Sequence, residues 1–276
     1  MSKTSLFILL LFIALGTSCM PLNTVPVPPA GLPTVTPQPR TLTVFAAASL
    51  TGAFTDIGHN FESTHPGVRV IFNFAGSQTL STQITQGAAA DVFASANQLE
   101  MDKVVAASLA AQGAPRDFVT NRLVVILPTA NPAKVQSLQD LARPGLKLVL
   151  ADATVPAGKY ARQFLERASQ NARYGPEYSA QVLANIVSDE TDVKQVVAKV
   201  QLGEADAGIV YVSDASAAPD LKTIEIPGDL NVSATYPIVA LTQAAQVDLA
   251  AEFVAEVLSP DGQSILKKWG FIPITP

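Results

Sequence analysis

The stretch VFAAASL, residues 44–50, decides the fold, because an apolar run of strand length passes directly into a helical pattern. The apolar residues of that pattern lie three or four positions apart: Leu50, Phe54, Ile57 and Phe61. Such spacing marks one buried face of a helix. A serine at this kind of corner is typical of a helix N-cap, so we place Ser49 there. The stretch predicts a buried strand that leads into a helix N-terminus.

The same alternation of strand and helix continues along the chain from Thr41. The strand candidates are 41–48, 68–74, 91–95, 122–127, 146–151, 185–188, 207–212 and 236–241. Strands that alternate with helices indicate parallel sheets covered on both faces. The spacing of the connections fits two lobes better than one closed barrel, so we predict a two-lobed α/β protein.

Two strands are candidates for the crossings between the lobes, because loop-like sequence precedes each of them. They are 122–127 and 236–241. The first lobe is then discontinuous and comprises 41–122 plus 236–276, and the second lobe comprises 123–235. Two apolar helical patterns close the chain and return to the first lobe.

Three further corners repeat the strand-to-helix transition. In residues 74–80, FAGSQTL, Gly76 permits an unusual backbone turn and Ser77 opens a helix. In residues 151–158, Pro156 suits the first helical position and leaves the next amides without partners. The fourth corner, SDETDV at 188–193, opens a helix striped with valine. Ligands of open parallel sheets bind beyond such strand ends, and helix N-termini attract negative charge. We therefore expect an anion as ligand.

Composition excludes several classes of protein. Among 276 residues, 18 Lys plus Arg oppose 23 Asp plus Glu, and the net charge of −5 argues against a nucleic-acid partner. One cysteine and two histidines leave no disulfide framework and no Cys- or His-based metal centre. Ser77 does not lie in a G-x-S-x-G motif, and the histidines are poorly placed for a triad. We expect no enzyme activity and no cofactor.

The N-terminal sequence is typical of an export signal. Residues 6–15 are unbroken apolar sequence, too short to span a bilayer, and small residues then precede Cys19. This segment resembles a bacterial lipoprotein signal, which implies a signal peptide at 1–18 and lipidation of Cys19. Ordinary secretion with an incidental cysteine is the alternative. Seven prolines fall within 19–40 and predict an extended tether.

At the four corners and beyond, the sequence resembles the periplasmic molybdate-binding proteins, the substrate-binding components of molybdate ABC transporters. The motifs that carry the resemblance are FAAASL at 45–50, FAGSQTL at 74–80, GAAADVFASA at 87–96, VPAGKYA at 155–161 and GIVY at 208–211. The resemblance implies a type II periplasmic-binding fold with a ligand cleft between the lobes. It also implies the ligand-binding residues: the hydroxyl groups of Ser49 and Ser77, the backbone amides of Ala157 and Val193, and Tyr211.

The resemblance implies an extracytoplasmic protein that captures molybdate or tungstate and delivers it to a membrane-embedded permease. We expect a lipid-anchored monomer. Every expected contact is a neutral donor, so the site favours oxyanions that carry no proton over phosphate. A receptor for sulfate or another tetrahedral oxyanion is one alternative, and a tethered oxyanion-sensing domain is another.

Overall fold

The computed structural model describes residues 39–111 and 115–274. These residues fall within a single unit that runs from Gln38 to Pro276. The predicted signal peptide, Cys19 and nearly all of the predicted tether lie outside the described residues, so those interpretations stay predictions.

The strands form two sheets. In chain order the strands are β1 (Arg40–Ala47), β2 (Val68–Ala75), β3 (Val92–Ala94), β4 (Arg116–Asn121), β5 (Leu123–Leu127), β6 (Leu148–Ala151), β7 (Ile186–Glu190), β8 (Ala207–Tyr211), β9 (Lys222–Glu225), β10 (Ala234–Ala240) and β11 (Ile272–Pro273). The first sheet has the order β11-β4-β10-β3-β1-β2, and the second has the order β7-β6-β8-β5-β9. The first sheet thus takes strands from both ends of the described chain, and the second takes strands from its middle.

Helices cover the sheets. In chain order they are α1 (Thr51–Thr64), α2 (Ser77–Thr85), α3 (Gln98–Ala106), α4 (Pro156–Ser169), α5 (Tyr178–Leu183), α6 (Val193–Gln201), α7 (Val212–Ser216), α8 (Val247–Leu258) and α9 (Pro260–Lys268). Two 3-10 turns, Ala48–Leu50 and Leu138–Ala142, complete the helical elements of the described part. The predicted apolar faces of α1 and α6 are confirmed as buried, and the two predicted C-terminal helices are confirmed as α8 and α9.

The sheets are mixed, so the prediction of purely parallel sheets was wrong. Strand β1 runs parallel to β2 and β3, but β10 runs antiparallel to β3 and β4. In the second sheet, β6 runs parallel to β7 and β8, whereas β5 runs antiparallel to β8 and β9. The short strand β11 also runs antiparallel, to β4.

The segment before the predicted crossing strand 122–127 differs from its prediction. Strand β4 occupies a segment that reads as a loop, and only Arg122 separates it from β5. The sequence of β4 begins with the exposed charged residues Arg116 and Asp117, which leave too short an apolar run to indicate a strand. Strand β9 is also interrupted by exposed charged residues, and β11 has only two residues, so the apolar pattern predicted neither of them. The assignment of residues to two lobes stays a prediction.

An aromatic cluster forms the centre of the first sheet's core. The ring centroid of Phe54 on α1 lies 5.9 Å from those of Phe118 and Phe253, and all three side chains are buried. This packing joins α1, β4 and α8 and holds the first corner in position. None of the helices in the described residues is long and apolar enough to cross a membrane.

Candidate functional site

The strand-to-helix corners meet at one small cavity, which leaves about 10 Å³ of space for the centre of a water molecule. All five predicted ligand-binding residues line it: Ser49, Ser77, Ala157, Val193 and Tyr211. The two serines follow strands β1 and β2 of the first sheet. Ala157 and Val193 follow strands β6 and β7 of the second sheet, and Tyr211 ends its strand β8. Every residue that lines the cavity is uncharged. The structure thus brings the predicted residues together, and their role in binding remains a prediction.

Ser49 lies in the 3-10 turn Ala48–Leu50, so its prediction as a helix N-cap was wrong. The α1 helix begins two residues later, at Thr51, because this tight turn separates it from the strand. The Ser49 hydroxyl does not cap a helix and instead lies 2.9 Å from the Tyr236 hydroxyl. Its side chain is therefore available to the cavity without competition from a backbone amide.

Ser77 is the first residue of α2, as predicted. The backbone amide of Ala96 donates a hydrogen bond to Ser77 Oγ over 2.9 Å. Because an amide N–H can only donate, the oxygen of Ser77 is already an acceptor and its own hydrogen is free for another partner. Ser77 can therefore donate a hydrogen bond into the cavity.

Gly76 caps α2 with a φ of −58°, so the prediction of an unusual backbone turn was wrong. The reason for glycine is a close approach between the two halves of the site. A Cβ at this position would lie 2.7 Å from the backbone oxygen of Thr191 and 2.5 Å from the Gln78 side chain. Gln78 Nε2 donates a hydrogen bond to the same Thr191 oxygen over 3.0 Å. Helix α2 and the corner before α6 therefore touch beside the cavity.

Helices α4 and α6 direct their N-termini at the cavity. Pro156 occupies the first position of α4, as predicted, and Ala157 follows with an amide that has no acceptor within the helix. At α6, the carboxylate of Asp192 accepts hydrogen bonds from the amides of Lys194 and Gln195. The carboxylate of Asp192 is thereby held against its own helix as the N-cap. The Val193 amide precedes those two amides and is left for the cavity.

Tyr211 ends β8, and its side chain is only 1% exposed. Its hydroxyl has no hydrogen-bond partner among the described residues. Burial raises the pKa of this hydroxyl well above its ordinary value, and the neighbouring Tyr236, Tyr160 and Asp214 raise it further. Tyr211 therefore stays protonated at any physiological pH and offers a donor in a place where water is excluded. A buried polar group without a partner is costly, which points to a missing acceptor.

Two buried polar residues beside the cavity are not predicted from the sequence. Asp214 on α7 is fully buried, and its Oδ1 lies 3.1 Å from Lys194 Nζ while its Oδ2 accepts from the Tyr211 amide. Burial raises the pKa of Asp214, and the Lys194 charge opposes that shift. The pair ties the N-terminus of α6 to the end of β8. Tyr236 is the second, and a tyrosine inside an apolar strand could have signalled a buried hydroxyl with a partner.

The cavity is suited to a small ion that only accepts hydrogen bonds. It is lined by the hydroxyl-bearing residues Ser49, Ser77 and Tyr211 and by the N-termini of α4 and α6. These groups supply hydrogen-bond donors and partial positive charge. Among residues 39–111 and 115–274, no group of three His, Cys, Asp or Glu side chains could hold a metal ion. A larger cleft beside α7 leaves about 260 Å³ for the centres of water molecules and is lined by Arg122 and Glu225, but the predicted residues do not meet there.

Comparison with known proteins identifies the family. The family model described as bacterial extracellular solute-binding protein matches residues 42–272. The molybdate-binding protein ModA of Mycobacterium tuberculosis is 44% identical over 233 residues, which cover 84% of each chain. The match spans nearly the whole described part of this chain.

Solved structures share the fold. The periplasmic molybdate-binding protein of Azotobacter vinelandii superposes with a TM-score of 0.73 at 21% identity, covering 85% of this chain and 100% of that one. The sulfate-binding protein SubI of Mycobacterium tuberculosis gives 0.76 at 16% identity, with coverages of 86% and 88%. At these identities the likeness concerns the fold alone, and it confirms the predicted two-lobed type II periplasmic-binding fold. The chain belongs to the family of bacterial extracellular solute-binding proteins.

Proposed function

We propose that this protein captures molybdate, and tungstate equally, and delivers it to the membrane-embedded permease of an ABC transporter. The ligand is held by Ser49, Ser77, Tyr211 and the amides of Ala157 and Val193. No catalysis and no cofactor take part. The sequence relative named a molybdate-binding protein supports the identity of the ligand.

One observation carries the proposal. The buried Tyr211 hydroxyl lacks a partner among the described residues, and it lines the same cavity as the other four donors. An unpaired buried hydroxyl costs about 1–3 kcal/mol, so a bound acceptor is the simplest reason to keep it. Hydrogen bonds to a charged group contribute about 1.5–3 kcal/mol each, which allows tight binding without lysine or arginine.

The chemistry of the donors favours one group of oxyanions. Molybdate, tungstate and sulfate only accept hydrogen bonds near neutral pH, whereas phosphate, with a second pKa of about 6, partly retains a proton. Sulfate is smaller than molybdate, so a rigid set of donors spaced for molybdate leaves sulfate with longer hydrogen bonds. The site therefore selects by protonation state first and by size second.

We further propose where the protein acts. Members of its family are extracellular solute-binding proteins. A signal peptide at 1–18, a lipid on Cys19 and a proline-rich tether at 19–40 hold the monomeric body at the outer face of the cell membrane. The body divides into lobes of 41–122 plus 236–276 and of 123–235, and the ligand lies between them.

Thermal unfolding of the purified protein with different oxyanions tests the choice of ligand. A ligand at 1,000 times its dissociation constant stabilises a protein by about 4.1 kcal/mol, which corresponds to a rise in Tm of about 8–16 °C. We expect such rises with molybdate and tungstate and much smaller ones with sulfate and phosphate. Equal protection by sulfate would refute molybdate as the preferred ligand and leave the fold untouched.

A serine variant tests the site itself. Replacing Ser49 by Ala removes one donor to a charged ligand, so we expect the Kd for molybdate to rise by about 10- to 100-fold in calorimetry. Ser63→Ala is the matched control, because Ser63 is exposed on α1, the helix that follows the turn of Ser49, and its hydroxyl donates to the Asn60 backbone oxygen. An unchanged Kd for Ser49→Ala would remove this residue from the site.

A further inference from the structure

Gln78, in the first turn of α2, makes a side-chain hydrogen bond between the two halves of the site. Its Nε2 donates to the Thr191 backbone oxygen over 3.0 Å, across 113 positions of sequence. A carbonyl oxygen can only accept a hydrogen bond, so the nitrogen end of the Gln78 amide must face Thr191. Gln78 does not line the cavity. The contact therefore joins α2 to the corner before α6 from outside the ligand space.

The corner that Gln78 contacts is the one that presents the Val193 amide. Gln195 Nε2 donates to Thr191 Oγ1 over 2.7 Å, which fastens the corner to its own helix. Gln78 fastens the backbone of the same residue to the opposite half. Val193 follows Thr191 by two positions, so its amide is held close to these two attachments. The placement of the Val193 amide against the first half therefore depends on Gln78.

A separate observation shows that the two backbones lie close together here. A Cβ on Gly76 would lie 2.7 Å from the same Thr191 oxygen. Asn121 also bonds across the two halves, from its Nδ2 to Ser213 Oγ over 2.8 Å, but it does so where the chain itself passes from β4 to β5. Gln78 and Thr191 are far from that crossing in the chain. Their contact is thus one that can be made and lost as the halves move.

The other end of the Gln78 amide has no partner. Oε1 is buried and makes no hydrogen bond among the described residues. An unpaired buried carbonyl oxygen destabilises a protein, and separation of the two halves would return this oxygen to water. The contact with Thr191 is therefore costly by itself, and a ligand that draws both halves together would offset this cost.

We propose that Gln78 is a positioning residue for oxyanion binding, which holds the Thr191 carbonyl and thereby keeps the Val193 amide against the ligand. The inference rests on the proposed function and deepens it. Gln78 acts after both halves have met around the anion, so it slows the release of the anion and leaves its capture nearly unchanged. Molybdate and tungstate are affected alike, because Gln78 touches neither of them.

Gln78→Met tests the proposal, because it removes both polar atoms and keeps the length of the side chain. Calorimetry gives the Kd for molybdate, and the release of radiolabelled molybdate into excess unlabelled molybdate gives the dissociation rate constant. We expect dissociation to become about 3- to 10-fold faster and the Kd to rise by the same factor. The association rate constant, taken as the ratio of the two, should change less than about twofold. The Tm without ligand should not fall, since an unpaired buried oxygen is removed.

Gln83→Met is the matched control. Gln83 lies on the same helix, and its Oε1 accepts a hydrogen bond from Asn73 Nδ2 over 2.9 Å within the first half. Its loss should lower the Tm and leave the release of molybdate unchanged. If Gln78→Met releases molybdate at the wild-type rate, or raises the Kd only by slowing association, Gln78 does not hold the corner and the inference is overturned.

Gln78→Glu is a second variant, which keeps the shape of the side chain and replaces the donor by a carboxylate. The carboxylate repels the Thr191 oxygen, so we expect molybdate to leave faster than from Gln78→Met. Slower release than from Gln78→Met would contradict the role of the amide as a donor. A wild-type protein that binds no oxyanion would remove the proposed function as well, whereas tight wild-type binding with unchanged release from Gln78→Met removes only this inference.

Discussion

At the residue scale, two buried tyrosines differ in whether the side-chain hydroxyl has a hydrogen-bond partner. The Tyr178 hydroxyl donates to the Leu138 backbone oxygen over 2.5 Å, whereas the Tyr211 hydroxyl has no partner among the described residues. A satisfied buried hydroxyl stabilises the protein, and an unsatisfied one destabilises it. The protein therefore carries at Tyr211 a local cost that binding can relieve.

We predict opposite effects of the same substitution at these two positions. Without ligand, Tyr211→Phe should leave the stability unchanged or raise it by up to about 1 kcal/mol, because an unpaired group is removed. Tyr178→Phe should lower the stability by about 1 kcal/mol. Urea unfolding of the ligand-free protein measures both. A loss at Tyr211 as large as that at Tyr178 would mean that its hydroxyl has a partner in the unliganded protein.

In the presence of ligand, Tyr211→Phe should be the more damaging of the two substitutions. Tyr211→Phe removes a proposed donor to the anion, so the rise in Tm with molybdate should shrink, while Tyr178→Phe should keep it in full. Burial raises the pKa of the Tyr211 hydroxyl, which predicts how its contribution to binding depends on pH. We expect the contribution of Tyr211 to binding to be constant between pH 6 and pH 9, since the hydroxyl stays protonated throughout that range.

At the element scale, β7 and α6 are joined by an ion pair just before the Val193 corner. Glu190 Oε1 lies 2.6 Å from Lys199 Nζ and accepts from Ser188 Oγ over 2.5 Å. Burial alone would raise the pKa of Glu190, but the Lys199 and Ser188 hydrogen bonds and the Lys199 charge hold it below its ordinary value. The pair fixes the end of the strand relative to the helix that presents Val193.

This pKa shift predicts a pH-dependent stability. A carboxyl group with a lowered folded-state pKa stabilises the protein above the unfolded value of 4.5 and loses this effect as the pH falls through the folded value. Glu190→Gln should therefore cost about 1–2 kcal/mol at pH 7, and the difference from wild type should close below pH 4.5. Exposed Glu204→Gln is the control. A constant difference across this pH range would contradict the ion pair.

The sequence predicts elements well where burial is local. Apolar runs locate β1, β2 and β8, and the valine stripe locates α6, because each pattern is contained within a few consecutive residues. Strands β4 and β9 escape because exposed charged residues interrupt the apolar pattern.

The predicted site residues share a cavity because corners of this kind converge in such folds. The partners behind them could not be predicted from spacing. Tyr236 meets Ser49 across 187 positions of sequence, and Gln78 meets Thr191 across 113. Only the assembled fold brings these groups together.

At the scale of the whole molecule, elements of the two sheets meet beside the cavity at one tight contact. Gly76 and Gln78 of the first lie against the Thr191 backbone oxygen of the second. A ligand that contacts both halves should favour the arrangement in which this contact is made.

Gly76→Ala tests the importance of this close approach. The added Cβ would lie 2.7 Å from the Thr191 oxygen, so the two halves must separate by some tenths of an ångström or more. We expect a faster dissociation of molybdate, with a Kd raised at least about tenfold, and a larger radius of gyration in X-ray scattering with ligand. Gly228→Ala is the control, because a Cβ there meets nothing within 4 Å. Equal behaviour of both variants would show that closure tolerates the methyl group.

The short passage from β4 to β5 has a consequence for how such a receptor can be altered. Asn121 ends β4 and is followed by the single residue Arg122, so the polypeptide leaves one sheet for the other within one residue. Any movement of the two sheets relative to each other is therefore absorbed at this point by very few backbone dihedral angles. A substitution intended to change the preferred anion should be made in the cavity wall and should leave this junction intact, since a longer or looser connection would alter that movement as well.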